Sequence, residues 1–303
     1  VPRPIEEPHH HHYAPQFFLR NFACDSEGRK VNTIMKHGLR AVWARRSIEN
    51  IGFEHDLYVH MSQGRPVSVE RAINRKIETP ISRTDTWQKI VSGRTDALDL
   101  SDKPVLYALI RHLEVRTPHY FETGRELAEL AASNDSGIDF TDDEREMYAE
   151  LRADSELAKA MFSRMSSTLD WTEAGYRGAF LAVWRSPIRL RSSTTPVMPQ
   201  RAPMHPALHL PLPGMVPYQL LLTLNTTTAV VLIQGDFDGA FSNVEIPLDA
   251  ARMINRHFVG QFSHFPHVSH LITERERLIE DMTWASYTLG EENSRRLVFE
   301  RKK

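Results

Sequence analysis

The residues best equipped for chemistry stand near the start of the chain, where His9-His10-His11-His12 runs directly into Tyr13-Ala14-Pro15 and then Phe17-Phe18-Leu19-Arg20-Asn21-Phe22. Pro2, Pro4, Pro8 and Pro15 keep this entry extended, and in an extended segment alternate side chains share a face. His10 and His12 are therefore expected on one side and His11 on the other. Neutral imidazoles at that spacing suit a divalent metal, Zn²⁺, Mn²⁺ or Fe²⁺, and either one suits general-base work near neutral pH. Two histidines do not complete a catalytic metal site, which takes at least a third protein ligand. Glu70, Glu78 and His112 are the candidates. Glu70 and Glu78 lie eight positions apart, about 12 Å along a regular helix and about 80° around it, so one ion cannot engage both without a kink.

Arg116 carries a different signal. It follows Leu106, Leu109 and Leu113 on one predicted helix, a spacing that sets its guanidinium at the edge of the core. A buried guanidinium without a carboxylate is very costly, and Glu78 or Glu70 on the preceding helix is the natural partner. The alternative is that Arg116 or Arg20 grips a carboxylate or phosphate of a substrate, with Tyr13 and His112 beside it. His264, His267 and His270 recur at three-residue spacing, but Pro266 disfavours the helix that would align them, so this segment reads as surface or packing. Asp236-Phe237-Asp238-Gly239 is an acidic turn without the twelve-residue calcium-loop pattern. Trp43, Trp87, Trp171, Trp184 and Trp284 read as core or interface fillers. The single cysteine, Cys24, excludes an internal disulfide and reads as a small buried residue beside Phe22, with a nucleophile as the alternative.

The elements that must position these groups change period along the chain. Lys30–Lys36 and Arg40–Trp43 read as two strands joined through His37-Gly38, and Asn50–Val59 completes a small N-terminal lobe. Ser68 reads as an N-cap for a helix carrying Val69, Ile73 and Ile77, which Pro80 should interrupt. A second helix starts at Ser101 and stops where Thr117 meets Pro118; a third covers His119 to about Ala132. A fourth runs from the capping box Thr141-Asp142-Asp143-Glu144 through Met161 and Met165. Gly178–Trp184, Ile188–Ser192, Tyr218–Leu224 and Thr228–Ile233 read as strands, with a proline-rich connection from Pro196 to Pro217 among them. Leu248–Phe258 is the last clear helix. This order implies an α+β fold: an extended N-terminal segment with a small hairpin, a central helical, bundle-like region, and a β-rich C-terminal part with a late helix. It is read as one domain, 1–303, with sub-regions 1–67, 68–170 and 171–303.

Composition removes several classes. The 303 residues carry Lys+Arg 37 against Asp+Glu 39, so net charge gives no support to a nucleic-acid partner, whose phosphates are usually met by a basic excess. No apolar stretch approaches the ~18–20 residues of a membrane span; the longest, from Tyr218 to Gln234, is broken by Asn225, Thr226, Thr227 and Thr228. A membrane partner is not expected, and with one cysteine and no leader-like run the expected location is cytoplasmic. Phosphate-cradling glycine loops, dinucleotide fingerprints, His-Glu-x-x-His and Gly-x-Ser-x-Gly are all absent.

The block His12-Tyr13-Ala14-Pro15-Gln16-Phe17-Phe18-Leu19-Arg20-Asn21-Phe22 resembles the opening motif of a widespread bacterial family, domain-of-unknown-function family 4238. The likeness extends to Glu70–Glu78 on an early helix, to Arg116-Thr117-Pro118 at a helix end, to Trp184 and to Asn255. Where that family commonly has Ser-Asp-Asn-Pro, this chain has Ser193-Thr194-Thr195-Pro196, and Thr194 is read as capping the turn in place of the aspartate. The resemblance marks His11 and His12 as native to the motif. It implies no settled activity. The leading expectation is a hydrolase-type enzyme, with or without a metal, with His12 or His10 as ligand or base, Arg116 or Arg20 as anion anchor, Glu70 or Glu78 as orienting partner, and Tyr13 and His112 lining the pocket. The alternative is a non-catalytic protein that binds a small molecule, peptide or partner within a stress or phage-defence system. A nuclease is a third.

Overall fold

Strands β10 (Gln219–Asn225) and β11 (Thr228–Ile233) are buried along their whole length and mostly apolar, because the sheet that holds them is covered on both faces. The computed structural model describes residues 9–37, 40–132, 140–168, 176–200, 219–235, 237, 240–264 and 268–274. Gly38, Trp171, Asp236, Asp238, Gly239, Pro266, His267 and Trp284 lie outside them, as does most of the proline-rich connection.

The central sheet has the order β12-β7-β11-β10-β9, with β7 at Phe180–Arg185, β9 at Val197–Gln200 and β12 at Phe241–Glu245. Only β12 runs parallel to its neighbour β7; the other pairs of this sheet are antiparallel. One face, carrying Leu181, Val183, Leu220, Leu222 and Leu232, packs on the N-terminal block and the helices. The opposite face, carrying Ala182, Trp184, Leu221, Val231 and Ile233, packs on the late helix Leu248–His264 through Ala250, Ile254, Phe258 and Phe262. A second sheet, β3-β2-β13-β8, joins β2 (Lys30–His37) and β3 (Arg40–Ser47) to β8 (Ser192–Ser193) and β13 (His270–Ile272). Residues from the two ends of the chain thus share one sheet. Two ribbons complete the β structure: β1 (His10–His12) with β4 (Phe53–His55), and β5 (Val59–Ser62) with β6 (Arg65–Ser68).

After the short α1 (Gln16–Leu19), the helical region begins with one interrupted rod: α2 (Glu70–Ile73), a π turn (Asn74–Glu78) and α3 (Thr79–Ser82). It continues with α4 (Asp85–Val91), α5 (Lys103–Val115), α6 (Pro118–Ala132), α7 (Asp142–Ala153) and α8 (Ser155–Ser167); the late helix is α9. The α+β class holds.

Several details depart from expectation for local reasons. Pro80 does not end its helix: the wider π turn before it accommodates the missing N–H and the ring that a regular turn would reject. The helix from Thr141 keeps its capping box but breaks at Asp154, whose side chain accepts from the backbone N–H of Glu156 and Leu157 and so starts a new helix. Ile188 to Arg191 form no strand; the Asn255 amide holds them instead, accepting from Arg191 N–H at 2.8 Å and donating to the Arg189 carbonyl at 3.0 Å. Ser68 lies one position before the N-cap, yet its hydroxyl accepts from Glu70 N–H. Cys24 and Arg20 are exposed, because the short turns that hold them bury Phe22 and Leu19 instead. Among the described residues no helix is long and apolar enough to cross a membrane.

Candidate functional site

Arg116, the residue that caps α5, is wholly buried, and five neighbours meet its guanidinium. Nη1 pairs with Glu78 and lies 3.4 Å from His112 Nε2; Nη2 reaches Glu70 Oε2 at 3.4 Å and donates to the His12 carbonyl; Nε donates to the Tyr58 hydroxyl at 3.1 Å. The Tyr58 hydroxyl donates in turn to the Arg116 carbonyl at 2.7 Å, and its ring lies under the guanidinium at 5.3 Å.

Both glutamates reach one cation because of the π turn. One extra residue in a turn leaves positions 70 and 78 in the phase that residues seven apart have on a regular helix, within about 20° of each other rather than about 80°. The kink required by the sequence argument exists, and the ion it serves is a guanidinium.

His11 completes the cluster from the other side. Its Nδ1 accepts from Tyr58 N–H at 2.9 Å, which puts the ring proton on Nε2, 3.4 Å from the Ser68 hydroxyl, and its ring stacks on Tyr58 at 5.5 Å. Burial pushes the Tyr58 phenol up and drives the His112 imidazole down to about 3, so His112 is neutral and accepts from Arg116. The His112 Nδ1 is buried without a hydrogen-bond partner among the described residues. Glu70 is 6% exposed, His112 1%, and His11, Tyr58 and Arg116 0%. The guanidinium and His112 are closed to solvent, while Glu78 and Ser68 are partly exposed at the edge of the cluster.

The predicted site residues divide accordingly. Arg116, Glu70, Glu78 and His112 meet. His10 and His12 share a face as expected, on either side of Phe53, with His10 stacked on that ring at 4.7 Å. His12 contributes its carbonyl to Arg116, while its imidazole lies 3.3 Å from the Glu49 carbonyl. Burial pulls that imidazole below its ordinary value, opposed by the Glu49 hydrogen bond. No group of three or more His, Cys, Asp or Glu side chains is arranged to hold a metal ion among the described residues. Arg20 points to solvent and touches none of the five groups around Arg116.

Tyr13 belongs to a second, separate chain of hydroxyls. Its OH lies 3.1 Å from Ser269 Oγ, which lies 3.0 Å from Thr194 Oγ1 and 2.9 Å from His270 Nδ1. Thr194 Oγ1 also accepts from His270 N–H at 3.3 Å, so it ties β8 to β13 across the sheet edge rather than capping its own turn. His11, Tyr58 and Ser68 are the members of the buried cluster that sequence reasoning passed over. The period-two alternation did set His11 apart from its neighbours, and that was the available signal.

A family model described as Protein of unknown function (DUF4238) matches residues 10–193, a span that contains every member of the Arg116 cluster. No curated protein and no solved structure matches the chain.

Proposed function

We propose that this chain, which belongs to the DUF4238 family of proteins of unknown function, is a non-catalytic binding protein whose His–Glu–Arg cluster is the internal clasp of its scaffold. The observation that supports this reading is the burial of Arg116. A reacting group has to meet substrate, and here the guanidinium, the Glu70 carboxylate and His112 are buried and committed to one another, with only Glu78 partly exposed at the edge. The clasp ties three distant segments together: β1 through the His12 carbonyl, the π-turn helix through Glu70 and Glu78, and α5 through Arg116. Such a network is costly to assemble and costly to break. Removing one partner of a buried ion pair typically costs about 3–5 kcal/mol because the other charge is stranded.

Diethyl pyrocarbonate labelling of the native protein, mapped by mass spectrometry, tests this. Neutral imidazoles react, and His112 is neutral across the working range, so only burial protects it. His9, His10 and His55 are exposed and should label rapidly, while His11 and His112 label only after unfolding. Rapid labelling of His112 in the folded protein would mean that the cluster opens to solvent. The hydrolase reading would then replace this one.

A further inference from the structure

The helix that supplies the clasp has an outer face with a different composition. Between Glu70 and Arg83 the chain carries Arg71, Arg75, Lys76 and Arg83 against Glu70 and Glu78, and both glutamates are turned inward onto Arg116. All four cations are exposed. The π turn aligns the three arginines as it aligns the glutamates. Positions 71 and 83 would diverge by about 120° on a regular helix, but with one extra residue in the turn they take the phase of residues eleven apart and return to within about 20°. Arg71, Arg75 and Arg83 accordingly line a single shallow cleft, wide open to solvent and of roughly 520 Å³, together with Asn74, Thr79 and Pro80. Among the described residues no carboxylate is paired with Arg75 or Arg83. Asp85, exposed at the start of α4, is the next acidic residue along the chain.

We propose that this cleft binds a small phosphate-bearing anion through Arg71, Arg75 and Arg83, with the Thr79 hydroxyl and the Asn74 amide as neutral hydrogen-bonding groups. Guanidinium forks match phosphate oxygens in pairs, and Arg75 and Arg83 on one wall suit two linked phosphoryl groups better than one. The cleft has the size of a small-molecule site. The chain's overall charge of −2 lacks the basic excess that a nucleic-acid strand usually meets. This inference rests on the binding-protein reading above and names its ligand class.

Isothermal titration with inorganic pyrophosphate, orthophosphate, ATP and a single-stranded oligonucleotide tests it. Pyrophosphate and ATP should bind more tightly than orthophosphate, and Arg75→Gln and Arg83→Gln should each weaken pyrophosphate by about tenfold, or about 1.4 kcal/mol. Both variants should melt with the parent protein, since the side chains are exposed, and Arg94→Gln, outside the cleft, should bind normally. Pyrophosphate affinity weaker than about 1 mM, or unchanged in both cleft variants, overturns the proposal. An oligonucleotide that binds far more tightly than pyrophosphate, with a steep salt dependence, also overturns it, in favour of a nucleic-acid surface. The labelling of His112 is read independently. Protected His112 with no pyrophosphate binding removes the anion site alone; labelled His112 removes the clasp reading, and the titration still decides the cleft.

Discussion

Arg116 shows how a single charged side chain becomes affordable inside a protein. Its guanidinium leaves water only because two carboxylates, a carbonyl, a phenol and an imidazole replace the hydration it loses. His112 bears part of the cost, being held neutral by its surroundings down to about pH 3, whereas in the unfolded chain it titrates at its ordinary value of 6.5. Between those values the unfolded state binds a proton that the folded state refuses, so stability rises with pH through this window and falls on acidification. His270, driven to about 4 by burial and by the neighbouring Arg46, acts in the same direction. Replacing His112 by Leu should therefore flatten the dependence of unfolding free energy on pH between about 6 and 4, by up to about 1.4 kcal/mol per pH unit. Urea titrations across that range measure it, and an unchanged slope would show that His112 is not held neutral. The need for a carboxylate beside Arg116 was legible from the sequence, because burying a charge demands a counter-charge wherever it happens. The roles of His11 and Tyr58 were not, since that of His11 depends on which face of β1 meets the core and that of Tyr58 on the turn that brings it beside Arg116.

At the scale of elements, the π turn is the decisive feature. It carries the rod past Pro80, turns Glu70 and Glu78 inward, and sets the arginines outward. Inserting one alanine between Arg75 and Lys76 should rotate Glu78 about 100° from Glu70 and strand part of the clasp, at about 3–5 kcal/mol. Deleting Lys76 together with Pro80→Ala should convert the π turn into a regular one without changing the phase of the glutamates, and cost much less. Chemical denaturation of the two variants compares them directly; equal losses would deny the turn its phasing role. Regular periodicity predicted two divergent glutamates here because it assumes 3.6 residues per turn throughout. Elsewhere local signals sufficed: the leucine stripe of α5, the Thr141 capping box and the apolar runs of β10 and β11 all take the form expected of them.

Over the whole molecule, one apolar core joins Tyr13, Phe18 and Leu19 of the N-terminal block to Leu106 and Leu109 of α5 and to Leu181, Leu220 and Leu232 of the central sheet. Sub-regions that share a core should unfold together. Thermal unfolding followed by far-ultraviolet circular dichroism and by tryptophan fluorescence should give coincident transitions, with Trp87 and Trp184 reporting the two sides of the sheet; separated midpoints would mean that the helical region and the sheet are independent units. By itself the sequence determined the α+β class, the family, most helices and strands, and the pairing of Arg116 with a glutamate. These follow from short-range periodicity, capping chemistry and the cost of burying charge, all of which act locally. Only the tertiary structure decided that both glutamates serve one arginine, that His11 rather than His10 or His12 turns inward, that Tyr13 joins Thr194 and Ser269, and that β13 returns to the N-terminal sheet. Each of these depends on the phase of a helix or on the pairing of strands far apart in the chain, and local propensity does not encode the partner.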